Sequence, residues 1–189
     1  MKTKDLKVLQ WNMQHNHMNT FLLSQFLKEN DHDMILLQEP PINISFGRHV
    51  IRGYSLFLPS TDSSLTHIPL SPPSVAILAK PSLRPRPIPS DCPRVCGVFI
   101  SSNLGSVAFV SAYIHPNSGD GLSALTSYIT NISASTPQII VGADVNGHSP
   151  WWGPPDQLPN SLGQQVEDFV LTHHFLVMNK WPSPPTFYF

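Results

Sequence analysis

Helical periodicity sits between strand-length apolar runs at both ends of this chain, while the middle carries strand-like runs alone. Leu6–Trp11 reads as a strand. Leu22, Leu23, Phe26 and Leu27 then share one helical face behind a cap at Asn19 or Thr20, with a stop near Asn30. Met34–Gln38 is a second apolar run of strand length. Strand, helix and strand in so short a span predict an alternating α/β build. The middle has Tyr54–Leu58, Val75–Ala79, Val95–Ile100 and Val107–Ile114, separated by turn-rich pieces at Pro59–Ser64, Pro69–Ser74 and Pro81–Cys92. Runs of this kind pair antiparallel. Proline cannot donate to a sheet interior, so the proline-dense stretch Pro81–Pro93 is expected to be an extended connection.

The last third alternates again. Leu122, Leu125, Ile129 and Ile132 form a helical stripe ahead of a strand at Gln138–Ala143. Ser161 with Gln164 has the spacing of a capping box before Leu162, Val166, Phe169 and Val170, and Phe175–Met178 reads as a further strand. The architecture expected is an α/β sandwich of two mixed sheets with helices outside. A length of 189 residues suits one domain, and no linker divides it.

Composition narrows the chemistry. No apolar stretch approaches the ~18 to 20 residues that cross a bilayer, and the N-terminus lacks a secretory pattern. Cys92 and Cys96 are too few for a disulfide framework and lack zinc spacing, so idle thiols in an intracellular setting are expected. The net charge is −1 with histidine neutral, which argues against affinity resting on a broad basic surface. A phosphate substrate would then need a metal ion or local dipoles for positive charge.

The polar residues that terminate the apolar runs are the most informative detail. The strand runs end at or near Asn12, Glu39, Tyr113 and Asp144, with Asn146 two residues on. Strand ends are where α/β sheets place their sites, so these five groups are expected to meet on one rim. A carboxylate with an amide oxygen is a hard-oxygen set suited to Mg²⁺, with Glu39 as the main ligand and Asn12 beside it. Asp144 would orient or deprotonate water, and Asn146 and Tyr113 would donate hydrogen bonds to a phosphate. Taken singly each has a plainer use: Asn as a turn former, Tyr as packing, Glu as a solvated strand end.

The segment Gly142-Ala-Asp-Val-Asn-Gly-His-Ser-Pro-Trp-Trp-Gly153 resembles the Gly-Asp-Phe-Asn-Ala-His-x-x-Trp-Gly signature of the endonuclease/exonuclease/phosphatase superfamily. Within it, the apurinic-endonuclease-like domain of non-LTR retrotransposons is the best likeness. Leu9-Gln-Trp-Asn12, Leu37-Gln-Glu-Pro40, Ser111-Ala-Tyr-Ile-His-Pro116, Asn179 and Pro185-Thr-Phe187 keep the same order. The resemblance implies a four-layer α/β sandwich and a Mg²⁺-dependent endonuclease, with Mn²⁺ as a substitute ion, that nicks DNA to prime reverse transcription. It places Asn12 and Glu39 on the metal, Tyr113 on the scissile phosphate, Asp144 on the water and Asn146 on phosphate orientation. His148 would shape the loop, and Asn179 and Thr186 would support the site or contact DNA. The implied partners are DNA and a reverse transcriptase domain of the parent element, in the nucleus, with no membrane.

Two departures accompany it. The family's later Ser-x-Ile-Asp strand and Ser-Asp-His motif are not found before Phe189, which implies a domain incomplete at its C-terminus, its last strands missing and a sheet edge open. Relatives often carry an arginine before the glycine of Ser161-Leu-Gly163. A catalytically incomplete retroelement remnant, or a phosphatase or phospholipase of the same superfamily, are the alternative readings.

Overall fold

The computed structural model describes residues 5–41, 51–60, 72–102, 105–116, 120–136, 138–179 and 182. Its strands are β1 (Val8–Asn12), β2 (Met34–Gln38), β3 (Ser55–Phe57), β4 (Val75–Ala79), β5 (Arg86–Ile88), β6 (Val95–Ser102), β7 (Gly105–Tyr113) and β8 (Gln138–Asp144). Among the described residues three α-helices, α1 (His17–Glu29), α2 (Asp120–Ser133) and α3 (Ser161–Thr172), accompany them. One sheet has the order β1-β2-β4-β3 and the other β5-β6-β7-β8. Each holds one parallel pair, β1 with β2 across α1 and β7 with β8 across α2, and its other pairs are antiparallel.

Strand alternation sorts the side chains into layers. Met34 and Leu36 of β2 point inward with Phe57, Val75 and Ile77, and meet Cys96, Val98, Ile100 and Phe109 of the second sheet. Ile35 and Leu37 point the other way, with Ala76 and Leu78, onto Leu23 of α1. On the far side Ala108, Val110 and Ala112 pack under Leu122, Leu125 and Ile129 of α2 and Val166 of α3. The result is helix, sheet, sheet, helix: the four-layer sandwich expected.

Several boundaries differ from the sequence reading. The cap of α1 is Asn16, whose Oδ1 accepts from Met18 N at 2.9 Å, so the helix starts a turn earlier. Leu22, expected on its buried face, is 45% exposed, whereas Phe26 packs edge-on against Trp11. The Pro81–Pro93 stretch holds a 3-10 turn and the strand β5 as well as connection. Pro87 is tolerated there because, among the described residues, β5 is an edge strand paired with β6 alone. Asn160, not Ser161, caps α3, its Oδ1 accepting from Gly163 N at 2.7 Å. Phe175–Met178 is no strand: Phe175 stacks back on Phe169, while Leu176 and Met178 stand exposed. Both cysteines are free, Cys96 buried. The turn pieces at 59–64 and 69–74 lie partly outside the described residues. No helix among the described residues is long and apolar enough to cross a membrane.

Candidate active site

The two parallel pairs lie against one another, β1 and β2 touching β8 and β2 touching β7, so four C-terminal strand ends share one rim. Alternation turns Asn12, Tyr113 and Asp144 inward at that rim, because Gln10, Ser111 and Gly142 two residues earlier are inward as well. Asn12 Nδ2 donates to Asp144 Oδ2 at 2.5 Å, joining the last residue of β1 to that of β8. Gln14 N donates to Asn12 Oδ1 at 2.8 Å, which fixes the orientation of the amide.

Glu39 would point outward if β2 continued its alternation. Instead its φ is +47°, a left-handed conformation unusual for a residue with a long side chain, and the alternation breaks there. Two backbone bonds hold the kink, Glu39 N to Ser74 O and His15 N to Glu39 O, both 2.8 Å. The carboxylate thereby reaches the Tyr113 hydroxyl, which hydrogen bonds it. Asn146 adopts φ +48°; its side chain meets the Tyr113 hydroxyl and donates to Ile114 O at 3.0 Å, and its backbone N donates to Asp144 Oδ1 at 3.3 Å. Held strain of this kind is characteristic of functional sites. All five residues expected to converge do so.

Electrostatics follow from the geometry. Burial, then the bond to Glu39 and its charge, push the Tyr113 phenol up to about 12, so it is a proton donor throughout the physiological range. Burial also raises Asp144. The Asn146 N–H and the Asn12 amide pull it back, and the charge of Glu39 raises it further. Two carboxylates facing an amide oxygen and a phenol make an all-oxygen set, which fits Mg²⁺ or Mn²⁺ bound with water and substrate oxygens. Among the described residues no three His, Cys, Asp or Glu side chains stand together as a ligand group. His15 Nε2 lies 3.7 Å from Glu39 Oε1.

The loop after Asn146 is fastened to α3. His148 N donates to Asn160 Oδ1 at 3.1 Å, and Asn160 N donates back to His148 O, so the exposed His148 acts through its backbone in shaping the loop. Ser149, fully buried, donates to Glu167 Oε1 at 2.5 Å and accepts from Trp151 N. Trp152 donates its indole N–H to Gly147 O at 2.9 Å and packs into the helix-side core, whereas Trp151 is exposed. Asn179 is exposed in the tail after α3 and has no hydrogen bond to the five among the described residues. Thr186 lies outside the described residues. Sequence reasoning missed Gln10, Gln38, Ser111, Ser149 and Asn160. The polar residues inside otherwise apolar strand runs were the available signal for the first three.

Comparison with known proteins gives the same fold. The architecture is that of the endonuclease/exonuclease/phosphatase fold. Residues 107–188 match the family model described as endonuclease-reverse transcriptase. The endonuclease domain of TRAS1, a telomere-specific non-LTR retrotransposon, superposes with a TM-score of 0.74 at 21% identity, over 95% of this chain and 76% of that one. The AP endonuclease LMAP from Leishmania major gives 0.61 at 15% identity, over 89% and 66% of the two chains. A 3′ phosphatase, NExo, from Neisseria, bound to a product DNA hairpin, gives 0.62 at 14% identity, over 89% and 71%. A search of curated proteins finds no match.

Proposed function

We propose that this chain is a Mg²⁺-dependent phosphodiesterase that nicks DNA, and that the nick primes reverse transcription in a non-LTR element. The observation that carries this reading is the run of contacts at one rim that joins Asn12 to Asp144, Asp144 to Asn146, Asn146 to Tyr113 and Tyr113 to Glu39. Its likeness to a retrotransposon endonuclease domain supports the choice of substrate.

Glu39, with the free lone pair of the Asn12 oxygen, would hold the ion. When bound, Mg²⁺ supplies positive charge to the phosphate and the leaving oxygen. Asp144 is placed to take a proton from water as the water oxygen bonds to phosphorus. Its raised pKa makes it a stronger base than an ordinary carboxylate. The bond from phosphorus to O3′ breaks, and that oxygen takes up a proton to leave a 3′-hydroxyl and a 5′-phosphate. Tyr113, protonated, and the Asn146 amide are placed to donate hydrogen bonds to the phosphoryl oxygens as negative charge builds on them. With a net charge of −1, much of the affinity for phosphate must come from this local arrangement. The 3′-hydroxyl product is the primer a reverse transcriptase domain extends, which makes such a domain the partner, and the nucleus the place, of this reading.

Plasmid nicking with and without Mg²⁺, against Asp144→Ala, tests the proposal. Wild-type protein should convert supercoiled to open-circular DNA with an end a polymerase can extend, and the variant should not. Equal behaviour of the two proteins would refute it. Release of phosphate from a 3′-phosphorylated hairpin without nicking would point instead to a phosphatase.

A further inference from the structure

A second polar layer lies directly beneath the site, and no step of the proposed chemistry uses it. Gln38 is fully buried between the sheets. Its Nε2 donates to Ser111 Oγ at 2.9 Å on β7 and to Gly142 O at 3.1 Å on β8. Ser111, also fully buried, donates its hydroxyl back to Leu37 O on β2 at 2.8 Å. Gln10 Nε2 donates to Ala143 O at 2.9 Å. A buried polar group that a hydrocarbon could replace is expensive to keep, so its placement calls for a reason. Here Gln38 immediately precedes Glu39, while Ser111, Gly142 and Gln10 stand two residues before Tyr113, Asp144 and Asn12. Every anchor of the layer is one or two residues from a residue of the site above it.

Gly142 belongs to the same device. A Cβ there would meet Leu36 Cδ1 at 2.7 Å, and Leu36 is itself buried, so the sheets approach this closely only because the position is glycine. Just below, Leu36 and Phe109 restore an apolar interior.

We infer that Gln38 and Ser111 are positioning residues: with Gly142 they form a clamp between the two sheets that sets the separation of Glu39 from Asp144, and through it the affinity for the divalent ion. The clamp rests on the reading of the rim as a metal site. Groups that orient metal ligands typically alter metal affinity by about 10 to 100-fold when removed. Apolar packing alone would hold two sheets together without fixing their spacing at one point, whereas the directional bonds of an amide fix it.

The test is Mn²⁺ binding, measured by electron paramagnetic resonance of the free ion, on wild type, Gln38→Met, Ser111→Ala and Gly142→Ala. Leu125→Ala, in the helix layer on the face of β7 opposite to Ser111, controls for lost stability. Each clamp variant should weaken Mn²⁺ binding by about tenfold or more, and Leu125→Ala should lower the melting temperature with unchanged affinity. Unchanged affinity in the folded clamp variants would overturn the inference, as would equal weakening by Leu125→Ala. Wild-type protein that binds no Mn²⁺ would refute the metal reading instead. The clamp is then decided by crystal structures of the metal-free variants: loss of the Asn12–Asp144 hydrogen bond supports it and retention overturns it.

Discussion

Replacing Gly163 with alanine tests how the loop beside the site is held. The new Cβ would stand 1.8 Å from His148 O and 2.8 Å from its carbonyl carbon, both backbone atoms with no rotamer to yield. Reaching an ordinary 3.4 Å contact requires the loop and the first turn of α3 to part by about 1.6 Å. Forced overpacking costs ~1–3 kcal/mol. Parting also breaks the cap made by Asn160, which holds Gly163 N and His148 N together, and loss of such a cap adds ~1 kcal/mol. A destabilisation of ~3 kcal/mol, at a urea m-value of ~2 kcal/mol/M, lowers the unfolding midpoint by ~1.5 M. Urea unfolding monitored by tryptophan fluorescence and by circular dichroism measures it. A midpoint within about 0.3 M of wild type would refute the reasoning, since at that m-value it corresponds to only ~0.6 kcal/mol.

Other outcomes concern the site. Asp144 has a raised pKa, so its contribution to stability is present below the ordinary value of 3.8 and is lost as pH rises through the folded value. Asp144→Asn in metal-free buffer should therefore melt higher than wild type near neutral pH, with the difference vanishing in acid; equal melting at both ends would count against the burial of that carboxylate. Tyr113→Phe should lower kcat by ~10²–10³, the scale of one lost donor to a developing anion, and a loss smaller than tenfold would remove Tyr113 from the chemistry. Raised from 10.0 to about 12, the Tyr113 phenol contributes stability that is intact below pH 10 and disappears as pH climbs through 12, which alkaline unfolding of wild type against Tyr113→Phe would show. Ser149→Ala removes two hydrogen bonds from a buried position and should cost ~1–3 kcal/mol in thermal or urea unfolding.

Much of this arrangement was readable because period and position speak directly. Met34–Gln38 and Val75–Ala79 are bounded in the structure as their apolar runs predict, each ending at a turn or a polar residue. The convergence of Asn12, Glu39, Tyr113 and Asp144 came from their places at strand ends, since parallel pairs align those ends on one rim. Four features escaped for physical reasons. β5 hides in a proline-dense stretch because an edge strand tolerates a residue that cannot donate. The cap at Asn160 was hidden by its neighbour Ser161, as both residues cap well and only the partner His148, twelve residues back, decides between them. Gln38 reads as the polar end of an apolar run, and its partners on β7 and β8 are far away in sequence. The redirection of Glu39 was equally hidden, because a left-handed turn at glutamate has no signature of its own.

Anomalous diffraction from a crystal soaked in Mn²⁺ addresses the shared rim most directly. One peak should appear within coordination distance of the Glu39 carboxylate, beside Asn12 and facing Asp144. A peak on another surface, with these side chains bare at an ion concentration that supports nicking, would contradict the assignment of this rim as the catalytic centre.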